Sequence, residues 1–252
     1  MPRICYDVVT MTDKPTNKNI VSHHHQSPEE IQKVCKNAEG PGGVRICQIN
    51  EEIQQGIHEM SAYKNTVTFY GSARFSEGDE FYEKARVLAG RISTELGLTI
   101  VTGGGPGIME AGNRGAFEAG GKSLGLTIKL PMEQKENPYL TDDVPFNFFF
   151  ARKMALSFSS EVLVYFPGGF GTLDECFEQL TLLQTKKMQP IPVILYGSAF
   201  WKPFQEIFKT ILLEKYKTID AADLSLFTIT DSDDEVIDII KKAKGRDIDG
   251  QY

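Results

Sequence analysis

The chain has no apolar run long enough to cross a bilayer and no charged-then-apolar opening segment, so neither a membrane span nor export is expected. A soluble cytoplasmic protein is the expectation. Positive charge is scarce, with 27 Lys and Arg against 34 Asp and Glu and a net charge of −7. That balance argues against nucleic acid, whose binders show a basic stripe, and still allows a small anion to be held by local donors. Cysteine is rare as well. Cys5, Cys35, Cys47 and Cys176 show no paired C-x-x-C spacing, so they read as reduced thiols, with Cys176 packed in the core. Three of the four histidines are adjacent, His23 to His25, in a polar segment that reads as solvated, and no metal site is expected.

What the chain has instead is glycine at two strand-to-helix turns. Val162 to Phe166 is a short β-branched and aromatic run that suits a strand buried on both faces of a parallel sheet. Pro167 ends it. Gly168, Gly169 and Gly171 then permit backbone conformations and close ligand approach that a Cβ would block. Thr172 reads as a helix N-cap, and Thr172-x-x-Glu175 has the spacing of a capping box. A helix start of this kind presents free N–H donors to a phosphate. The same device occurs earlier, where Leu98 to Val101 runs into Thr102-Gly103-Gly104-Gly105-Pro106-Gly107-Ile108-Met109-Glu110.

Residues 1–60 have few apolar periods and read as a partly helical extension, with a helix from about Ser27 to Asn37 and another from about Ile46 to Met60. Residues 61–252 read as the nucleotide-binding domain. Its first strand is Val67 to Tyr70, leading into the small-residue loop Gly71-Ser72-Ala73-Arg74. Phe81, Ala85, Leu88, Ala89, Ile92 and Leu96 then have the spacing of an amphipathic crossover helix. Further helices are expected to about Ala119, over Asn147 to Ser159, over Thr172 to Thr185, over Ala199 to Tyr216 and over Asp233 to Lys244. Strands are expected at Ser123 to Ile128, Ile191 to Tyr196 and Leu226 to Ile229, and residues 129–146 read as a long loop.

Alternation of this kind predicts an α/β fold, a Rossmann-like doubly wound parallel sheet with helices on both faces. Its switch point lies beside the first strand, so the Ser72 loop, the Gly103 turn and the turn after Phe166 should share one crevice. No cofactor is expected there. Counted from Gly103 or from Gly169, the third glycine of a dinucleotide fingerprint falls on Ile108 or Asp174. Gly121-Lys122-Ser123 mimics the end of a Walker A loop, but it precedes a strand and position 116 is Ala116.

Pro167-Gly168-Gly169-Phe170-Gly171-Thr172-x-x-Glu175, with Arg152-Lys153 and the Gly103 to Glu110 turn upstream, resembles the Lonely Guy (LOG) family over about Thr66 to Tyr216. Its members are cytokinin-activating nucleoside 5′-monophosphate phosphoribohydrolases, often mislabelled lysine decarboxylases. The resemblance implies a homodimer, sometimes assembled further, that splits a nucleoside monophosphate such as AMP into free base and ribose 5-phosphate. It also implies that Arg152 and Glu175 are catalytic. Ser160-Glu161, where plant members usually carry Asp-Ala, and the long extension resemble the longer bacterial-type branch.

Glycosidic cleavage passes through an oxocarbenium-like ribose and needs a carboxylate near C1′, a water and phosphate donors. Glu175, expected at the third helical position, should be held ionised by the helix dipole. Arg152 would clamp the phosphate or support the departing base. Gly104, Gly105, Gly107, Gly168, Gly169, Gly171 and Thr172 would hold the phosphate, and Ser72, Met109 and Glu110 would line the nucleoside pocket. Lys153, adjacent to Arg152, should point to another helix face, exposed or in an interface. The alternative is a non-catalytic carrier of a nucleotide or of molybdenum cofactor, which would keep the phosphate cradle without needing Glu175 and Arg152 together.

Overall fold

In the computed structural model, residues 40–129 and 136–243 are described. The helix expected near Ser27 and the three adjacent histidines lie outside them. Helix α1 (Gly40–Ser61) comes first. Residues through Val44 form one unit, of which only the start of α1 is described, and a second compact unit begins at Arg45. Within the second unit, the rest of α1 is packed in. Met60 is buried, a Cβ on Gly56 would stand 2.8 Å from the Phe146 ring, and the Glu52 carboxylate accepts hydrogen bonds from the Asn147 and Phe148 amides at 2.9 and 3.0 Å.

The second unit alternates strand and helix: β1 (Thr66–Tyr70), α2 (Glu80–Leu96), β2 (Thr99–Thr102), α3 (Ile108–Glu118), β3 (Ser123–Ile128), β4 (Asp142–Phe146), α4 (Phe149–Ser159), β5 (Val162–Tyr165), α5 (Phe170–Gln184), β6 (Val193–Tyr196), α6 (Ser198–Ile207), β7 (Thr228–Thr230) and α7 (Asp233–Lys242). All pairings are parallel, in the order β4-β3-β2-β1-β5-β6-β7. The chain therefore reverses direction across the sheet at β1, between β2 and β5. That is the expected switch point.

Alternation along each strand divides the core in two. Tyr70, Val101, Leu163, Tyr165 and Leu195 face one layer together with Ala155, Leu156 and Trp201. Val67, Phe69, Ile100, Val164 and Ile194 face the other, against Ala85, Leu88 and Ile92 of α2 and Val236 and Ile240 of α7. Burying both faces is what makes these strands near-continuous apolar runs.

Three local expectations fail for identifiable reasons. Residues 142–146 are not loop: β4 pairs with β3 along the register Leu124↔Asp142 to Ile128↔Phe146. Asp142, Asp143 and Pro145 hide the strand, but an edge strand tolerates a proline and exposed acids while Val144 and Phe146 fill the core. The helix expected over Ala199 to Tyr216 changes after Ile207 into a π-helix over Phe208–Lys215. Cys47 is disulfide-bonded, against the expectation of reduced thiols, whereas Cys176 is free and buried as expected.

Glycine matters most at Gly107, where φ is +73° and an added Cβ would stand 2.3 Å from the Ser72 carbonyl oxygen. Gly169 is the opposite case, with φ −92° and open space where its Cβ would go. Gly107→Ala is expected to cost at least ~2 kcal/mol and Gly169→Ala less than ~0.5 kcal/mol, as read from urea unfolding midpoints. Similar losses at the two positions would show that backbone approach at Gly107 is not what packs this edge.

Candidate active site

The carboxyl ends of β1, β2 and β5 open onto a cavity of about 670 Å³, large enough for a nucleotide. Its floor includes Tyr70, which stacks on Tyr165 at 4.6 Å between ring centroids. Three loops converge on it because of one residue. The Ser72 amide donates to the Pro167 carbonyl after β5, and the Ser72 carbonyl accepts from the Ile108 amide that opens α3, each at 3.0 Å.

Of the residues expected here, Ser72, Met109, Arg152, Lys153, Gly169, Gly171, Thr172 and Glu175 line the cavity. Gly104, Gly105, Gly107, Glu110 and Gly168 do not line it. The Gly104 and Gly105 carbonyls accept from Asn137, whose side chain also bonds Asn113. Gly107 lies against Ser72 and Ala73, and Glu110 accepts from the Tyr82 hydroxyl. Gly168 leaves room for Thr172, whose Oγ1 would be 2.2 Å from an added Cβ. At the α3 start the Ile108 amide is already bound to Ser72 and the Gly104 amide to Thr102 Oγ1, while the Met109 and Glu110 amides precede the helix ladder, which begins at Ala111.

The other helix start is open. The first hydrogen bond of α5 runs from the Leu173 amide to the Gly169 carbonyl at 3.0 Å, so the amides of Phe170, Gly171 and Thr172 precede the ladder and face outward as donors. The N-cap is Gly169 with no side-chain cap, which corrects the expected Thr172 capping box. With the helix starting earlier, Thr172 lies buried inside the first turn and Glu175 moves to the second turn, beyond capping reach.

That shift changes the chemistry of Glu175. Burial pushes its carboxyl up to about 7, and Arg152 and Lys153 offset this only in part. The expected dipole-stabilised carboxylate is thus replaced by a group that exchanges its proton near neutrality. Tyr165 anchors this turn, its hydroxyl donating to the Glu175 carbonyl at 3.3 Å.

Arg152, on α4, donates from Nε to the Leu126 carbonyl at 2.7 Å and from Nη2 to the Gly103 carbonyl at 3.1 Å. Burial disfavours its charge while Glu175 and Tyr70 favour it. The guanidinium fits only because residue 103 is glycine: an added Cβ would lie 2.0 Å from Nη2. Lys153 is neither free nor merely exposed. Its ammonium pairs with Asp174 at 2.8 Å and Glu178 at 2.9 Å, joining α4 to α5 beside Glu175.

Residues not expected here are Tyr70, Gly103, Arg74, Phe149, Phe170 and Asp174, all in the cavity wall. Phe170 is 92% exposed, an unusual place for a phenylalanine away from a ligand or partner. The signal for Arg74 and Gly103 was position, since each sits just past the carboxyl end of a central strand.

The family described as "Possible lysine decarboxylase" matches residues 109–240. The chain is 29% identical over 134 residues to a probable cytokinin riboside 5′-monophosphate phosphoribohydrolase of Oryza sativa subsp. japonica, covering 52% of this chain and 62% of that one. It is 24% identical over 163 residues to the cytokinin riboside 5′-monophosphate phosphoribohydrolase LOG of the same organism, covering 64% and 66%. It spans just under two thirds of the length of these curated relatives. Among solved structures, it is similar to a structural-genomics target (26% identity, TM-score 0.52, 71% of this chain and 99% of that one). It is also similar in fold to the molybdenum cofactor carrier protein of Chlamydomonas reinhardtii (23%, TM-score 0.54, 71% and 97%).

The raised Glu175 carboxyl has a definite consequence for stability. An unfolded glutamate loses its proton near 4.5, whereas the folded one keeps it to about 7. The associated stability is full below about pH 4.5 and disappears as pH rises through about 7. Glu175→Gln should therefore leave the melting temperature nearly unchanged at pH 5 and raise it at pH 8, by roughly 2–4 °C for each kcal/mol relieved. Equal shifts at the two pH values, measured by calorimetry, would contradict burial of this charge.

Proposed function

The chain belongs to the LOG-type family described as possible lysine decarboxylases, and on that premise we propose that it is a nucleoside 5′-monophosphate phosphoribohydrolase. It hydrolyses the N-glycosidic bond of an AMP-like or cytokinin riboside monophosphate substrate to free base and ribose 5-phosphate. The observation that carries this is the pairing, in one nucleotide-sized cavity, of a proton-exchanging Glu175, an anchored Arg152 and the open start of α5.

The phosphate binds at the amides of Phe170, Gly171 and Thr172, where aligned peptide dipoles favour an anion. Glu175 follows on the next turn of the same helix and meets the sugar. As the C1′–N bond breaks, the Glu175 carboxylate stabilises the oxocarbenium-like ribose and takes a proton from water, whose oxygen bonds to C1′. The base leaves with the bonding electron pair and takes a proton from solvent, and Glu175 releases to solvent the proton it took from the attacking water. Two carbonyls fix the Arg152 guanidinium, so its charge opposes the electron density that builds on the departing base without reorganising. The resemblance also implies a homodimer, for which Phe149, Phe150 and Met154 supply an exposed apolar face.

Lysine decarboxylation is not supported by the residues. Lys153, the lysine in the cavity wall, is held as an ammonium by Asp174 and Glu178, which outweigh burial and raise its pKa. A Schiff base needs a free amine. A carrier of the same fold would require the open helix start but not Glu175 and Arg152 together.

Incubation with a panel of nucleoside monophosphates is expected to release base and ribose 5-phosphate, with kcat rising with pH through about 7 as Glu175 ionises. Glu175→Gln should abolish release while retaining nucleotide binding. Arg152→Ala should lower turnover at least ~100-fold, whereas a rise in KM alone would make Arg152 a binding residue. No release from any monophosphate, with tight binding intact, would favour a carrier.

A further inference from the structure

Three cations line the cavity, Arg74, Arg152 and Lys153. Two are committed: Arg152 to backbone carbonyls, and Lys153 to Asp174 and Glu178. Arg74 is different. Its side chain makes no ion pair or hydrogen bond among the described residues, although its main chain is held firmly.

The Arg74 amide donates to Ser72 Oγ at 3.1 Å, and Ser72 is itself bonded to Pro167 on one side and Ile108 on the other. Gly107 closes against the next residue, since a Cβ there would come within 2.6 Å of Ala73 Cα. The loop is thus fixed across the switch point, while its one long charged side chain is left unengaged at the cavity.

The cavity needs such a charge. The α3 turn has fewer donors to offer, because the Ile108 amide is bound to Ser72 and the Gly104 amide to Thr102 Oγ1. The open α5 start offers the equivalent of roughly half a positive charge. Against a phosphate stand Glu175 and Asp174 in the same wall. Lys153 is shared by Asp174 and Glu178, and Arg152 keeps its charge but is fixed in place by the Leu126 and Gly103 carbonyls, so a phosphate dianion at the α5 start gains from a further cation.

We infer that Arg74 is the anchor for the substrate phosphomonoester, gripping it with paired guanidinium donors opposite the α5 amides and making the site select phosphorylated ribosides over free ones. This deepens the proposed function and takes from it the identity of the substrate as a ribose 5′-phosphate compound. Arg74 acts in binding, and Glu175 and Arg152 keep the chemistry.

Calorimetric titration of the full chain with ribose 5-phosphate, ribose, AMP and adenosine tests the assignment. Arg74→Ala should weaken ribose 5-phosphate and AMP at least ~10-fold, leave adenosine within about twofold and reduce the salt dependence of AMP binding. Arg74→Lys should recover part of the loss and Arg74→Gln none. The melting temperature should not change in any of the three, because the side chain has no partner among the described residues to lose. Equal weakening of AMP and adenosine, no weakening of either, or a wild-type chain that fails to bind ribose 5-phosphate would overturn the assignment. Arg74-dependent binding of ribose 5-phosphate without base release from any monophosphate would uphold the anchor and remove the hydrolase.

Discussion

The main chain of Ser72 holds three strand-to-helix turns in register. By donating to Pro167 and accepting from Ile108, it fastens the turn after β1 to the turns after β5 and β2. Parallel strands leave their carboxyl ends at one edge, and crossovers leave that edge in opposite directions at β1. Topology alone makes a gap there. The two Ser72 bonds turn the gap into a cavity with a fixed wall, and Gly107 is required because any side chain would force that wall apart.

Within the cavity, the two glycine turns are alike in sequence and unlike in role. The amides of Phe170, Gly171 and Thr172 precede the α5 ladder, and the α3 start gives its first amide to Ser72. Gly103, between them, makes way for the Arg152 guanidinium instead of a phosphate. Glycine is thus used at Gly103 for a side chain and at Gly107 for backbone packing, and each use is a close contact that a Cβ would prevent.

Charge inside the wall is arranged at some cost in stability. Glu175 is kept protonated to about 7 by burial, although Arg152 and Lys153 are near. Lys153 is occupied by Asp174 and Glu178, so its help is divided. A carboxyl poised in this way suits proton exchange at neutral pH and is a poor choice for a stable core. The extension contributes too: Glu52 of α1 binds the amides of Asn147 and Phe148 just before α4, the helix that carries Arg152.

Hydrophobic patterning determined much of this without coordinates. Runs such as Val162 to Phe166 are apolar at every position because both faces are covered, and their alternation with amphipathic helices led directly to the sheet order and the switch point. The glycine turns were legible as short-range chemistry at fixed spacing, and the Arg152, Glu175 pair through the family resemblance that those turns carry. Folding alone decided what depends on contacts between distant segments. It made a strand of Asp142 to Phe146 by pairing it with β3, began α5 early enough to move Glu175 out of a cap, raised its pKa by burial, closed the Ile108 amide with Ser72 and left the Arg74 side chain without a partner among the described residues. Neighbours along the chain set local conformation, whereas burial, charge state and the partner of each donor are set by neighbours in space.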